Sequence, residues 1–373
     1  MTETLLLAGT RKGLFLARQA GGSWHSEPMA LPMTAVYAVA IDTRGATPRL
    51  FASATSEHWG PTVLHSDDLG ATWSEPDHAP ATLPDDAGAA LERIWQIQPG
   101  RTDEPGVVYA GAEPAALFRS IDHGVSFELV QSLWDHPHRG EWGAGAGGQA
   151  IHTILPHPLD PDRTLIALSS GGCYRTFDGG RTWTPANQGI KVTFLPDPPQ
   201  FPEFGQCVHK VAQDSADPDR LYLQNHNGVY RSDDWGGEWT SIADGLPGEF
   251  GFTVLADPNA GGGAYVIPLV SDGFRFAPEF RCRVYGTRDA GGSWSELVGT
   301  GTANDTSTNT NTLPGPDFYS LVLRDAFATD GAPTPGFYFG TRDGCLYASG
   351  PQGWTEVASH LPDVLSVRAA VIG

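Results

Sequence analysis

No run of about 18 apolar residues occurs anywhere in this chain, so nothing in it reads as a membrane-spanning helix. Cysteine is scarce. Cys173, Cys207, Cys282 and Cys345 are the four in 373 residues, with no Cys-x-x-Cys pair, and they do not make a disulfide framework. Basic residues are outnumbered, 23 Lys and Arg against 43 Asp and Glu, for a formal charge of −20. That balance argues against nucleic-acid phosphates and anionic lipid as partners. The opening Met1-Thr2-Glu3-Thr4 has neither a basic region nor an apolar h-region, so no signal peptide is expected and a soluble, cytoplasmic protein is. A Gly-x-Ser-x-Gly elbow and a His-Glu-x-x-His motif are also missing. The Gly-rich stretch 143–148 is not followed by Lys-Ser/Thr, which removes a P-loop.

What the chain has is turns and aromatic rings: 46 Gly and 30 Pro, with 11 Trp and 17 Phe to build a core. One pattern organises them. Ser66-x-Asp68-x-Gly70-x-Thr72-Trp73 returns as Ser120-x-Asp122-x-Gly124-x-Ser126-Phe127 and as Thr176-x-Asp178-x-Gly180-x-Thr182-Trp183. It returns again as Thr287-x-Asp289-x-Gly291-x-Ser293-Trp294, and as Ser232-x-Asp234-x-Gly236-x-Glu238-Trp239, where Glu replaces a hydroxyl. Eroded forms end at Trp24 and Trp354. The aromatic positions 24, 73, 127, 183, 239, 294 and 354 are spaced 49, 54, 56, 56, 55 and 60 residues apart, and a period near 50 signals a repeat architecture. Locally, the Asp accepts from turn N–H groups, the Gly supplies φ > 0, and the aromatic ring packs into the repeat, so the motif reads as a staple between two strands.

The motif resembles the Asp-box, or bacterial neuraminidase, repeat of sialidases, sortilin-type receptors, xyloglucan-degrading propellers and photosystem assembly factors. The resemblance covers all seven periods and speaks to architecture. True sialidases carry an N-terminal Arg-Ile-Pro element and six blades. This chain has Glu92-Arg93-Ile94-Trp95 as its nearest string and seven periods, so the resemblance does not imply sialidase activity.

Each period holds four short β-like runs. The first, ahead of a Pro/Asp turn, falls at 36–41, 94–97, 151–155, 208–212, 252–256 and 318–323. Four antiparallel strands per period make a propeller blade. The N-terminus lacks a first run, whereas the C-terminus ends on a lone apolar run at 364–372, so the last strand is expected to complete the first blade. The expectation is an all-β, seven-bladed β-propeller filling residues 1–373 as one domain, closed by its C-terminal strand. The Thr/Asn/Gly-rich stretch 299–311 reads as a flexible loop between the sixth and seventh blades.

Loops on a rigid scaffold commonly carry function. The turns between second and third strands share one face with the loops between blades, and they carry unusual residues: Arg11, Glu57, His58, Trp59, Glu113, His226, Asp272, Arg342 and Asp343. Nearby first strands begin with Glu92, Arg93, His152, Cys207, His209 and Lys210. The long connection 131–148, which holds Trp134, Glu141 and Trp142, covers the same face. Converging carboxylates, imidazoles and guanidiniums in one concavity make a candidate active site.

Three readings follow. In a glycoside hydrolase, two carboxyl groups do the chemistry. Glu57, Glu92, Glu113 and Asp272 lead the catalytic candidates, with Arg11, Arg93, Arg342, His152 and Lys210 binding substrate and Trp59 and Trp142 stacking on sugar rings. Arg275, Trp95 and Trp134 are also available. In a metal-dependent hydrolase or lyase, His58, His209 and His226 hold a divalent metal, with His152 in reserve and Cys207 beside His209. In the third reading the ring is a non-catalytic platform for a protein partner. The first is the favoured one, with a small molecule or glycan as substrate; no cofactor is assigned beyond the divalent metal of the second reading.

Overall fold

The computed structural model describes residues 2–56, 58, 60–145, 148–194, 200–298 and 313–373. These residues fold into seven antiparallel sheets laid out in chain order, six of four strands and one of three. Blade 1 is Val364–Ile372, Glu3–Thr10, Gly13–Ala20 and Ser23–Ser26; blade 2 is Val39–Asp42, Arg49–Ser56 and Gly60–Ser66. Blade 3 runs through Arg93–Pro99, Val108–Glu113, Ala116–Ser120 and Glu128–Leu129, and blade 4 through Ile151–Pro156, Thr164–Leu168, Gly172–Thr176 and Thr184–Pro185. Blade 5 is Val208–Gln213, Leu221–Asn225, Val229–Ser232 and Thr240–Ser241; blade 6 is Val254–Ala256, Ala264–Val266, Tyr285–Thr287 and Ser295–Glu296. Blade 7 is Phe327–Thr329, Phe337–Gly340, Leu346–Gly350 and Gly353–Ala358. The first strand of every blade touches the first strand of the next, all the way round. The ring closes as expected: Val364–Ile372 pairs antiparallel with Glu3–Thr10 and supplies blade 1 with its inner strand.

Three details depart from the sequence reading. The inner strand of blade 7 is Phe327–Thr329, not the run at 318–323. Both stretches are apolar, but only the later one leads directly into a turn, Asp330-Gly331-Ala332-Pro333, while Phe318 is drawn off to bond the Phe280 carbonyl. Blade 2 has no assigned fourth strand; after Trp73 the chain pairs through Ser74, whose N donates to His65 O at 2.8 Å and whose Oγ accepts from His65 N at 2.9 Å. The connection at 131–148 has structure of its own. An α-helical turn at Gln131–Trp134 and a 3-10 turn at Pro137–Glu141 bury Leu133 and Trp142 against Tyr174. The stretch 299–311 lies outside the described residues.

The repeating turn is built as its composition demands. In blade 4, Asp178 Oδ1 accepts from Thr176 Oγ1 at 2.8 Å and Thr182 N at 2.9 Å, Oδ2 accepts from Thr182 Oγ1 at 2.7 Å, and Gly180 N donates to Thr176 Oγ1 at 3.0 Å. The turns around Asp68, Asp122 and Asp289 repeat this scheme; at Asp234, Glu238 offers only its backbone N–H, 3.0 Å from Oδ1. Four of the five complete turns also join neighbouring blades through an arginine of the preceding blade, which donates to the carbonyl just before the motif glycine: Arg18 to Leu69, Arg49 to His123, Arg175 to Trp235 and Arg231 to Ala290, at 2.8 to 2.9 Å. The Asp178 turn is held instead by Ser132 Oγ, which donates to Gly180 O. The motif tryptophans tie in the same direction: the indole N–H of Trp239 reaches Ala186 O at 2.9 Å and that of Trp294 reaches Ile242 O at 2.7 Å. A staple inside the blade is thus a clasp between blades as well. Gly291 shows why glycine is needed. Its φ is +90°, and a Cβ there would stand 2.6 Å from the Ile242 side chain.

A second repeated device lies beneath the outer turns. Asp214, Asp257 and Asp330 each cap a turn, accepting from Ala216 N, Asn259 N and Ala332 N at 2.9 to 3.0 Å. Each also accepts from the hydroxyl of the tyrosine eight residues on: Tyr222 at 2.9 Å, Tyr265 at 2.7 Å and Tyr338 at 2.8 Å.

Candidate functional site

Blades 3, 4 and 5 share an irregularity that aims side chains inward. Their first strands bulge, and the register slips at Trp95, His152 and His209, each 57 residues after the last. A bulge re-aims the extra residue. The two histidines hold the next blade by its backbone: His152 Nε2 lies 2.9 Å from Val208 O, and His209 Nδ1 lies 2.5 Å from Gly251 O. Trp95 Nε1 donates instead to Glu113 Oε2 at 2.8 Å.

Above the bulges opens a cavity of about 800 Å³. It is lined by the turns between second and third strands (Arg11, Ser169, Ser170, His226, Asp272, Arg342) and by the loops between blades (Glu141, Phe204, Cys207). This is the face the sequence pointed to. The aromatic wall is Tyr37, Trp95, Phe194, Phe204 and Phe252, and Arg324 and Asp325 belong to the same lining.

Below it, Lys210 plugs the axis. Its Nζ lies 2.7 Å from Asp325 Oδ1, 3.0 Å from Gln96 Oε1 and 3.4 Å from His152 O, so one ammonium joins blades 3 and 4 to the segment entering blade 7. Arg368 shares Asp325 at 2.9 Å. Burial lowers the Lys210 pKa, an effect Asp325 works against; the Asp325 carboxyl, which burial raises, is held below the ordinary range by Lys210 and Arg368.

The residues singled out from the sequence separate into groups. Asp272, His209, His226, Arg11 and Arg342 line the cavity, as do Arg275, Trp95 and Glu141. Glu113 does not: it is 7 % exposed and is engaged by Arg93 Nη1 at 2.7 Å and the Trp95 indole. Arg93 and Glu92 stand outside the lining with it, Glu92 exposed to solvent. His152 is fully buried, and burial drives its pKa well below the ordinary histidine range, so it is a neutral strut between blades 4 and 5. Lys210 belongs to the plug. Trp142 is buried with its indole N–H on Tyr174 Oη at 2.8 Å, away from any sugar face. His58 is exposed and outside the histidine cluster, whose third member is Cys207. Glu57 and Trp59 lie outside the described residues.

The densest polar group in the cavity is Cys207, His209 and His226, whose potential ligand atoms all lie within 4.8 Å of one another. Asp272 Oδ2 stands 3.4 Å from His226 Nε2. Burial would raise the Asp272 carboxyl, but Arg275 and His226 outweigh it and hold it below the ordinary range, ionised at neutral pH. Arg11 and Arg342 share Asp363 at the rim. Arg324 is different. Its Nη1 donates to Ser169 Oγ at 3.2 Å, its guanidinium carbon sits 5.3 Å from the Trp95 ring centre, and among the described residues no carboxylate reaches ion-pair distance of it. Sequence reasoning missed Arg324 because it placed blade 7 several residues too early. The Asp-Gly-Ala-Pro turn at 330–333 was the signal that could have corrected it.

The fold defines the class, a seven-bladed β-propeller with an axial cavity that combines an aromatic wall with charged groups. No protein-family model matches the chain, and no curated protein matches it. Among solved structures the chain is similar to the GH74 enzyme of Niastella koreensis, at 15 % identity and a TM-score of 0.54, over 96 % of this chain and 61 % of that one. An ancestral GH74 enzyme matches at 18 % identity and a TM-score of 0.55, over 87 % of this chain and 38 % of that one. YCF48 bound to a D1 peptide matches at 14 % identity and a TM-score of 0.49, over 86 % of this chain and 81 % of that one. At such identities the GH74 likeness shows the fold alone, and this chain spans less than two thirds of either GH74 chain.

Proposed function

We propose that this protein is a hydrolase of glycoside-hydrolase type, a member of the Asp-box propellers, acting on an acidic sugar in the axial cavity. Arg324 carries the reading. A guanidinium in a concave site, bonded to a hydroxyl, set against an indole and, among the described residues, without a carboxylate at ion-pair distance, is a receptor for a carboxylate, which it can pair through two parallel hydrogen bonds. The Trp95 ring beside it suits the apolar face of a pyranose. Besides Asp325, which Lys210 and Arg368 occupy, two carboxyl groups line the cavity, Asp272 on blade 6 and Glu141 on the loop between blades 3 and 4. Asp272, kept ionised, takes the base or nucleophile role, and Glu141 the proton-donor role. The GH74 likeness fixes the fold only, so the chemistry rests on these side chains. The unpaired thiols of Cys173, Cys207, Cys282 and Cys345 suit a reducing, cytoplasmic setting.

The test is release of 4-nitrophenol from glycosides of uronic acids against those of the matching neutral sugars. Preference for the acidic series is expected. Arg324→Gln should lower kcat/KM by roughly 10- to 100-fold, the cost of one charged hydrogen-bonded contact, and do so for acidic substrates alone. Asp272→Asn should abolish turnover. No turnover of any acidic glycoside, together with no rise in melting temperature on adding free uronic acids, would sink the reading.

A further inference from the structure

The cluster at the cavity wall supports a second, independent inference. We propose that Cys207, His209 and His226 bind one divalent transition-metal ion of the zinc class, with a coordination position left open to the cavity.

The spacing fits a metal shell. Cys207 Sγ and His209 Nε2 are 3.6 Å apart. Two ligands of a tetrahedral zinc ion, with bonds of about 2.3 Å to sulfur and 2.0 Å to nitrogen, stand about 3.5 Å apart. The two atoms therefore stand at the separation that a shared ion requires. The blade 5 bulge falls at His209, two residues after Cys207, and both side chains line the cavity.

The surroundings prepare the ligands. His209 Nδ1 faces the Gly251 carbonyl at 2.5 Å, so Nδ1 carries the proton and the Nε2 lone pair points at Cys207. Phe252 stacks on the His209 ring at 4.9 Å between centres, and Phe250 packs edge-on against both imidazoles at 5.4 and 5.3 Å. Asp272 addresses His226, the carboxylate-histidine pairing that commonly supports a metal ligand. These contacts fix both rings. A thiolate with two imidazoles is too soft for magnesium or calcium and selects zinc, cobalt, nickel or copper. Three protein ligands with a cavity-facing fourth position match the open kind of site rather than the closed structural kind.

The experiment uses the intact protein, stripped with a chelator and titrated with Co(II) alone, then Zn(II) in competition. One equivalent should bind, with a thiolate-to-cobalt charge-transfer band in the near ultraviolet that Zn(II) removes. Cys207→Ser should abolish the band, and His226→Asn should weaken binding at least tenfold, both with an unchanged far-ultraviolet circular dichroism spectrum. Cys345→Ser, on blade 7, should leave the titration intact. Absence of stoichiometric binding by the native chain, or binding indifferent to both Cys207→Ser and His226→Asn, would overturn the site. No sugar enters this titration, so its failure leaves the acidic-glycoside reading standing, and the reverse holds too.

Discussion

Lys210 Nζ stands 2.7 Å from Asp325 Oδ1 across the axis of the ring, buried on both sides. An ion pair taken out of water contributes little net stability while intact, but removing one partner strands the other and costs about 3 to 5 kcal/mol. Lys210→Met is therefore expected to lower stability by about 3 kcal/mol, near the bottom of that range because Arg368 still holds Asp325. Urea unfolding measures it. The double variant Lys210→Met with Asp325→Leu should cost clearly less than the two single changes summed; strict additivity would mean the pair is not coupled.

The Asp–Tyr staples should rank by how many partners each Asp retains. Asp214 Oδ2 also accepts from Gly262 N at 2.7 Å, whereas Oδ2 of Asp257 and of Asp330 has the tyrosine hydroxyl as its hydrogen-bond donor. Removing one buried hydrogen bond costs about 1 kcal/mol. Tyr265→Phe and Tyr338→Phe are expected to lose that much and Tyr222→Phe less, as read from urea midpoints. Tyr222→Phe proving the most damaging would contradict the ranking.

Glu238 occupies the position where the other complete turns place a hydroxyl. Thr182 and Ser293 each donate that hydroxyl to the turn Asp at 2.7 Å. Glu238→Thr should restore the bond to Asp234 and raise stability by about 0.5 to 1 kcal/mol, seen as a higher melting temperature. A lower one would show that the glutamate is engaged in some other favourable way.

Acid should dismantle these turns together. The carboxyls of Asp68, Asp178 and Asp289 are lowered to about 2, chiefly by the hydroxyl at the seventh motif position. Asp122 also reaches about 2; partial burial opposes the fall there, and Ser126 overcomes it. In the unfolded chain the same groups titrate near 3.8. The unfolded state therefore takes up protons first as pH falls, and the stability these groups contribute is complete above about pH 4 and lost on approach to pH 2. The urea midpoint should drop steeply across that window, and Asp178→Asn should flatten the slope. A midpoint constant from pH 5 to 2 would refute the linkage.

The repeat was legible because its determinants are local. Five copies of a hydroxyl–Asp–Gly–hydroxyl–aromatic pattern at a period near 50 residues fix a strand–turn–strand unit. Counting seven of them, with a strand missing at one end and spare at the other, is enough to predict a closed ring. The clasp function of the turns was not legible, since Arg175 and Trp235, or Arg231 and Ala290, meet only when blades stand side by side.

The site divides along the same line. Sequence put Asp272, His209 and His226 on one face, and all three line the cavity, because position within the repeat decides which end of the ring a residue occupies. It had no means of deciding that Glu113 would be consumed by Arg93 and Trp95, that Lys210 would become a plug, or that Arg324 would bond Ser169 with, among the described residues, no carboxylate at ion-pair distance. The first depends on the register and bulge inside blade 3, where Arg93 and Trp95 meet Glu113 across paired strands; the other two depend on contacts between residues more than a hundred positions apart, on blades that are not consecutive in the chain. Local hydrogen-bonding chemistry set the blade and its count; the closing of the ring decided which charges neutralise one another and which still face the cavity.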